Sequence, residues 1–105
     1  MARLPGQYLG IKKRFKGFFS AAEKLGKAAS SAGPIDQKTA QLIQLAAAAA
    51  IRSEGAVHSH TRRALDAGAR PEEVYHALLL ITSTIGFPTM SAALSCVDDI
   101  MNEKE

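Results

Sequence analysis

Apolar residues recur along most of this chain at spacings of three and four, and no period-two alternation of any length appears, so the pattern predicts helices and no strands. From Tyr8 to Leu25 the stripe Tyr8, Ile11, Phe15, Phe18, Phe19, Ala22 and Leu25 predicts one amphipathic helix, with Lys12, Lys13, Arg14 and Lys16 mostly between the apolar positions. That stripe holds three of the four phenylalanines and must dock on something. Ala29 to Pro34 is a linker between helices. Asp36 offers an N-cap for a central helix through Thr39 to Ile51, in which the five alanines at 46 to 50 allow neighbouring backbones to come close. Ser53 caps the next helix, which runs to about Ala67 with Gly68 as its left-handed terminator. Pro71, Glu72 and Glu73 suit a first helical turn, and Val74, Ala77, Leu78, Ile81 and Ile85 form the stripe that follows. Gly86 and Pro88 break the chain. A last helix carries Met90, Ala93, Leu94, Val97, Ile100 and Met101 on one face. The expectation is an all-α fold of about five helices in one domain spanning 1–105, two of them apolar nearly all round, with the surplus apolar surface covered in a homo-oligomer.

Composition narrows this picture. At 105 residues and 47% hydrophobic, the chain can bury one core and not two. Its longest unbroken apolar run, Leu45 to Ile51, falls far short of the roughly 20 residues of a membrane span. The charges from Lys12 to Lys16 stand where a signal peptide needs its apolar stretch, so the expected location is the cytoplasm. The net charge of +3 is uneven: residues 1–30 hold seven Lys or Arg against Glu23 alone. A solvated basic face accounts for this segment, and without a recognised binding motif no nucleic-acid partner is expected. Cys96 is the only cysteine and lies among Ala92, Ala93, Leu94 and Val97, which excludes an intrachain disulfide and reads as inert core. No metal site and no cofactor are expected. His58 and His60 are two apart and point nearly opposite ways on a helix, and nothing in the sequence ties His76 to either of them.

Between Ile35 and Phe87 the chain carries Ile-Asp-Gln-Lys-Thr-Ala-Gln-Leu-Ile, an alanine-rich helix, His60-Thr-Arg-Arg-Ala-Leu-Asp-Ala-Gly-Ala, and then Pro71-Glu-Glu-Val. In these stretches it resembles the carboxymuconolactone decarboxylase family, also described as alkylhydroperoxidase D-like (AhpD-like), with the family core over 35–102 and a less diagnostic basic helix over 1–30. The resemblance implies a helical domain that assembles as trimers or hexamers, with sites near subunit contacts. Redox members carry Cys-x-x-Cys-x-x-x-His with a glutamate twelve positions before the first cysteine. With the histidine placed on His60, the cysteines fall on Ser53 and Ala56 and the glutamate on Gln41. A serine hydroxyl is a poor nucleophile beside a thiolate and alanine forms no disulfide, so thiol peroxidase chemistry by the family route is excluded.

Decarboxylase-type members lack the cysteines and act on a small lactone carboxylate, with a histidine at the corresponding position. The resemblance therefore implies a lyase or related enzyme on a small carboxylated or lactone substrate, with His60 as acid/base and Gln41 and Ser53 beside it. Arg52, Arg62 and Arg63 are the candidates for holding the substrate carboxylate. Gln41, an amide among apolar neighbours, must find a partner, and Ser53 or His60 is expected to supply it. The alternative is a non-catalytic oligomeric binding or scaffold protein that keeps a degenerate site, in which Ser53 is only a helix cap and Glu54 only a carboxylate at a helix N-terminus.

Overall fold

The computed structural model describes residues 6–103. The regular structure of the described residues is all helix, with no strand: α1 (Gly6–Arg14), α2 (Lys16–Ser31), α3 (Gln37–Ala50), α4 (Glu54–Asp66), α5 (Pro71–Leu80), α6 (Thr82–Ile85) and α7 (Phe87–Met101). They divide into two compact units at the Ile35/Asp36 junction.

In the first unit the single helix predicted over Tyr8–Leu25 is two helices, and residues 1–5 of the expected basic segment lie outside the described range. Phe15 leaves helical geometry (φ −134°, ψ 65°), although its N–H still reaches Ile11 O at 2.9 Å. The physical reason lies in the aromatic side chains. In an unbroken helix Tyr8 and Phe19 would stand about 16 Å apart along the axis. With the break, their rings meet edge to face at a centroid distance of 4.8 Å, and Phe19 is buried. Phe18 and Leu25 stay mostly exposed, so only part of the predicted apolar stripe is covered.

The second unit is built around α3, which packs on α4, α5 and α7, while α4 also packs along α7. Its core comprises Leu45, Ala48 and Ala49 of α3, Val57 and Ala64 of α4, Ala69, Val74 and Leu78 around α5, and Met90, Ala93 and Val97 of α7. Ala48 and Ala49 are the members of the alanine run that turn inward, and their small side chains permit the close approach of neighbouring helices. Thr61 is buried without loss because its Oγ1 donates to Val57 O at 2.7 Å.

Local signals end these helices where the residue types say they should. Asp36 accepts from Thr39 N–H at 2.8 Å, and Ser53 Oγ accepts from Ala56 N–H at 3.3 Å. α4 closes at Gly68 (φ +101°) in a Schellman arrangement, with Gly68 N–H on Leu65 O and Ala69 N–H on Ala64 O. α3 closes in the same pattern, with Arg52 N–H on Ala49 O and Ser53 N–H on Ala48 O, yet the left-handed position is held by Arg52 (φ +58°) instead of glycine. The stripe predicted to run unbroken to Ile85 stops at Ile81. A separate turn, α6, follows because Thr82, Ser83 and Thr84 favour local hydroxyl bonding, and Thr82 Oγ1 turns back to Leu78 O at 3.4 Å. No helix among the described residues is long and apolar enough to cross a membrane.

Candidate functional site

Gln41 lies one turn into α3 and His60 midway along α4, two helices that pack closely together. His60 Nδ1–H donates to Gln41 Oε1 at 2.8 Å across that contact, and both side chains are half-buried. An amide oxygen can only accept, so this bond places the imidazole hydrogen on Nδ1 and leaves Nε2 with a free lone pair. Burial, and then the positive charge of Arg63, push the His60 pKa below its ordinary value of 6.5. The ring is accordingly neutral at neutral pH and presents a base.

Ser53 stands at the N-cap of α4 and Ala56 at its third helical residue, joined by the capping bond just described. The hydroxyl is thereby engaged with its own helix. Of the arginines, Arg62 is committed elsewhere: its Nη2 pairs with Glu103 Oε2 at 2.6 Å, with side chains only 13% and 19% exposed. Its Nε is buried and has no hydrogen-bond partner among the described residues. Arg63 is exposed one turn from His60 and acts on it through its charge. Arg52 is exposed in the strained turn between α3 and α4, immediately before Ser53. The structure thus joins Gln41 to His60, gives Ser53 a capping role, and leaves Arg52 and Arg63 as the two of the three candidate arginines that are exposed.

A family model for carboxymuconolactone decarboxylase matches residues 16–99. The chain belongs to the carboxymuconolactone decarboxylase family. The match opens at Lys16, the first residue of α2, so the region assigned to the family begins well before Ile35. An uncharacterised protein of Methanocaldococcus jannaschii is 26% identical over 94 residues, covering 90% of this chain and 88% of its own length.

A second cluster lies across α4 and α7 of this family member. One ligating atom each from Glu54, His58 and Cys96 falls within 4.8 Å of the others, and His58 Nε2 stands 3.1 Å from Asp99 Oδ2. Cys96 is partly buried beside the core instead of sealed within it, and its thiol is pushed up by burial and by the carboxylates of Glu54 and Asp99. In the sequence His58 is paired only with His60, at a two-residue spacing, and Glu54 reads as a carboxylate at a helix N-terminus. The legible signal was the i,i+4 spacing of Glu54 and His58, which puts both on one face of α4; the arrival of Cys96 from α7 had no sequence signal at all. His76 is exposed on α5 and belongs to neither cluster. The N-terminal unit holds a groove of about 760 Å³ lined by Leu9, Lys12, Lys16, Phe19 and Glu23 among others, and it includes none of Gln41, Ser53 and His60.

Proposed function

We propose that this protein is a lyase or related enzyme acting on a small carboxylated or lactone substrate, with His60 as the acid/base group. The observation that carries this reading is the 2.8 Å bond from His60 Nδ1–H to Gln41 Oε1. It fixes one tautomer and one ring orientation, and it leaves Nε2 able to remove a proton from a carbon next to a carbonyl and to return it. A glutamate at position 41 would stabilise imidazolium; the neutral amide orients the ring without doing so. Arg63, one turn away, supplies the cation for a substrate carboxylate, and its long side chain is free to swing toward it. Membership of the carboxymuconolactone decarboxylase family supports the same reaction class.

The active form in this proposal is a homo-oligomer, a trimer or hexamer, located in the cytoplasm. Ile43, Ile51, Leu79, Leu80 and Phe87 support assembly, since each leaves more than half of its side chain exposed in the single chain.

The experiment is a thermal-shift screen of the wild type and the His60→Ala variant against small carboxylates and lactones, followed by turnover assays on those that bind. Stabilisation of the wild type that is lost in the variant, with turnover lost alongside, is the expected result. Binding that survives His60→Ala, or binding with no turnover at any concentration, would overturn the enzyme reading in favour of a binding or scaffold protein.

A further inference from the structure

We propose that Glu54, His58 and Cys96 form a binding site for a thiophilic divalent cation of the zinc class, with Asp99 positioning the His58 ring. A carboxylate oxygen, an imidazole nitrogen and a thiol sulfur lie within 4.8 Å of one another. Zinc held at its usual bond lengths draws such ligands to about 3.4–3.8 Å apart, a closure that rotamer adjustment of a flexible glutamate can supply. A group made only of exposed carboxylates would favour no particular ion, whereas nitrogen and sulfur together select borderline-soft metals over magnesium and calcium.

Glu54 and His58 are one turn apart on α4, while Cys96 and Asp99 are three apart on α7, and these two helices pack against each other. The ligands therefore come from rigid elements and not from a loop. Asp99 Oδ2 stands 3.1 Å from His58 Nε2, the carboxylate–imidazole pairing by which metal sites fix a ligating ring.

The carboxylates of Glu54 and Asp99 flank the imidazole and the thiol, an arrangement whose sign invites a cation. Glu54 is exposed and His58 and Cys96 are half-buried, so an ion reaches the site without any part of the core opening. Binding would expel the thiol proton and leave the fourth tetrahedral position to water. The site shares no residue with the Gln41–His60 pair and stands or falls independently of the function proposed for it.

The test titrates the full chain with Co²⁺ alone and then displaces it with Zn²⁺, following the thiolate-to-cobalt charge-transfer band, proton release and competition with a chromophoric chelator. The expected result is one metal per chain with one proton released and a charge-transfer band that disappears in Cys96→Ser. Affinity should fall at least tenfold in His58→Ala and in Glu54→Gln, and about tenfold or more in Asp99→Asn. His60→Ala should bind as the wild type does, and circular dichroism of each variant should report unchanged helicity. Absence of the band in wild type, or an affinity unchanged in both Cys96→Ser and His58→Ala, would overturn the proposal.

Discussion

His60 and Arg52 are the residues at which this chain departs from what its helices alone require. Because the folded state holds the His60 pKa below 6.5, the unfolded chain takes up a proton before the folded one does as pH falls. The unfolded state then binds more protons, so stability declines as pH drops through the unfolded value toward the folded one, and the decline ends below both. We expect the melting temperature to fall between about pH 7.5 and pH 5, and the slope to flatten in His60→Gln, which keeps a hydrogen-bonding side chain but does not titrate. Equal slopes in the two proteins would show that other groups carry the effect. Arg52 occupies a left-handed position that the matching turn at α4 gives to Gly68. Replacing it with glycine should stabilise the protein by up to about 1 kcal/mol, and Gly68→Ala should destabilise it by about 1 kcal/mol, both read from urea midpoints. An Arg52→Gly variant that loses ligand binding while gaining stability would assign the residue at position 52 to function.

At the scale of elements, the N-terminus of α4 carries the most chemistry. Ser53 and Ala56 occupy the positions where the family resemblance places a cysteine pair, and here they are an N-cap and the residue it caps. Unpaired backbone N–H groups and the helix dipole at that end stabilise negative charge. In a Ser53→Cys/Ala56→Cys double variant the thiol at position 53 should therefore titrate below the ordinary value of about 8.5, measured by the pH dependence of alkylation, and the pair should oxidise to an intrahelical disulfide. An ordinary thiol pKa at position 53 would show that the cap geometry does not extend to charge stabilisation. This end of α4 could be read directly, since Ser53 and Glu54 are local signals. The break at Phe15 could not, because an unbroken apolar stripe continues on both sides of it and the ring of Tyr8 decides the bend.

For the whole molecule, the exposed apolar side chains of α3, α5 and α7 set the main expectation. Leu80 and Phe87 are each 67% exposed in the single chain, too much apolar surface to leave in water without cause. Leu80→Lys should leave the stability of an isolated chain within about 0.5 kcal/mol, as surface changes do, yet shift the proposed oligomer to smaller species in light scattering. A size unchanged by Leu80→Lys would take that face out of the interface. Leu78, two residues earlier and fully buried, is the contrast: Leu78→Ala should lower the unfolding midpoint by the equivalent of about 2–5 kcal/mol whatever the oligomeric state.

The extent of each helix and the manner of its ending were in large measure determined by residues close together in the chain. Asp36 and Ser53 cap, Gly68 takes a positive φ, and Pro71 opens a helix because those preferences belong to the residue and its immediate neighbours. The apolar stripes likewise foretold Val74, Leu78, Met90 and Val97 as core. The tertiary structure alone decided the pairings. Gln41 and His60 are 19 positions apart, and the choice between Ser53 and His60 as partner of that amide depended on how α3 lies on α4. His58 and Asp99 are 41 apart, and Cys96 read as inert core until α7 carried it to the edge of α4. Periodicity says which face of a helix is apolar, but not which polar residues of two packed helices come opposite one another at its margin. That is set by crossing angle and axial register, which follow from the packing of the whole core.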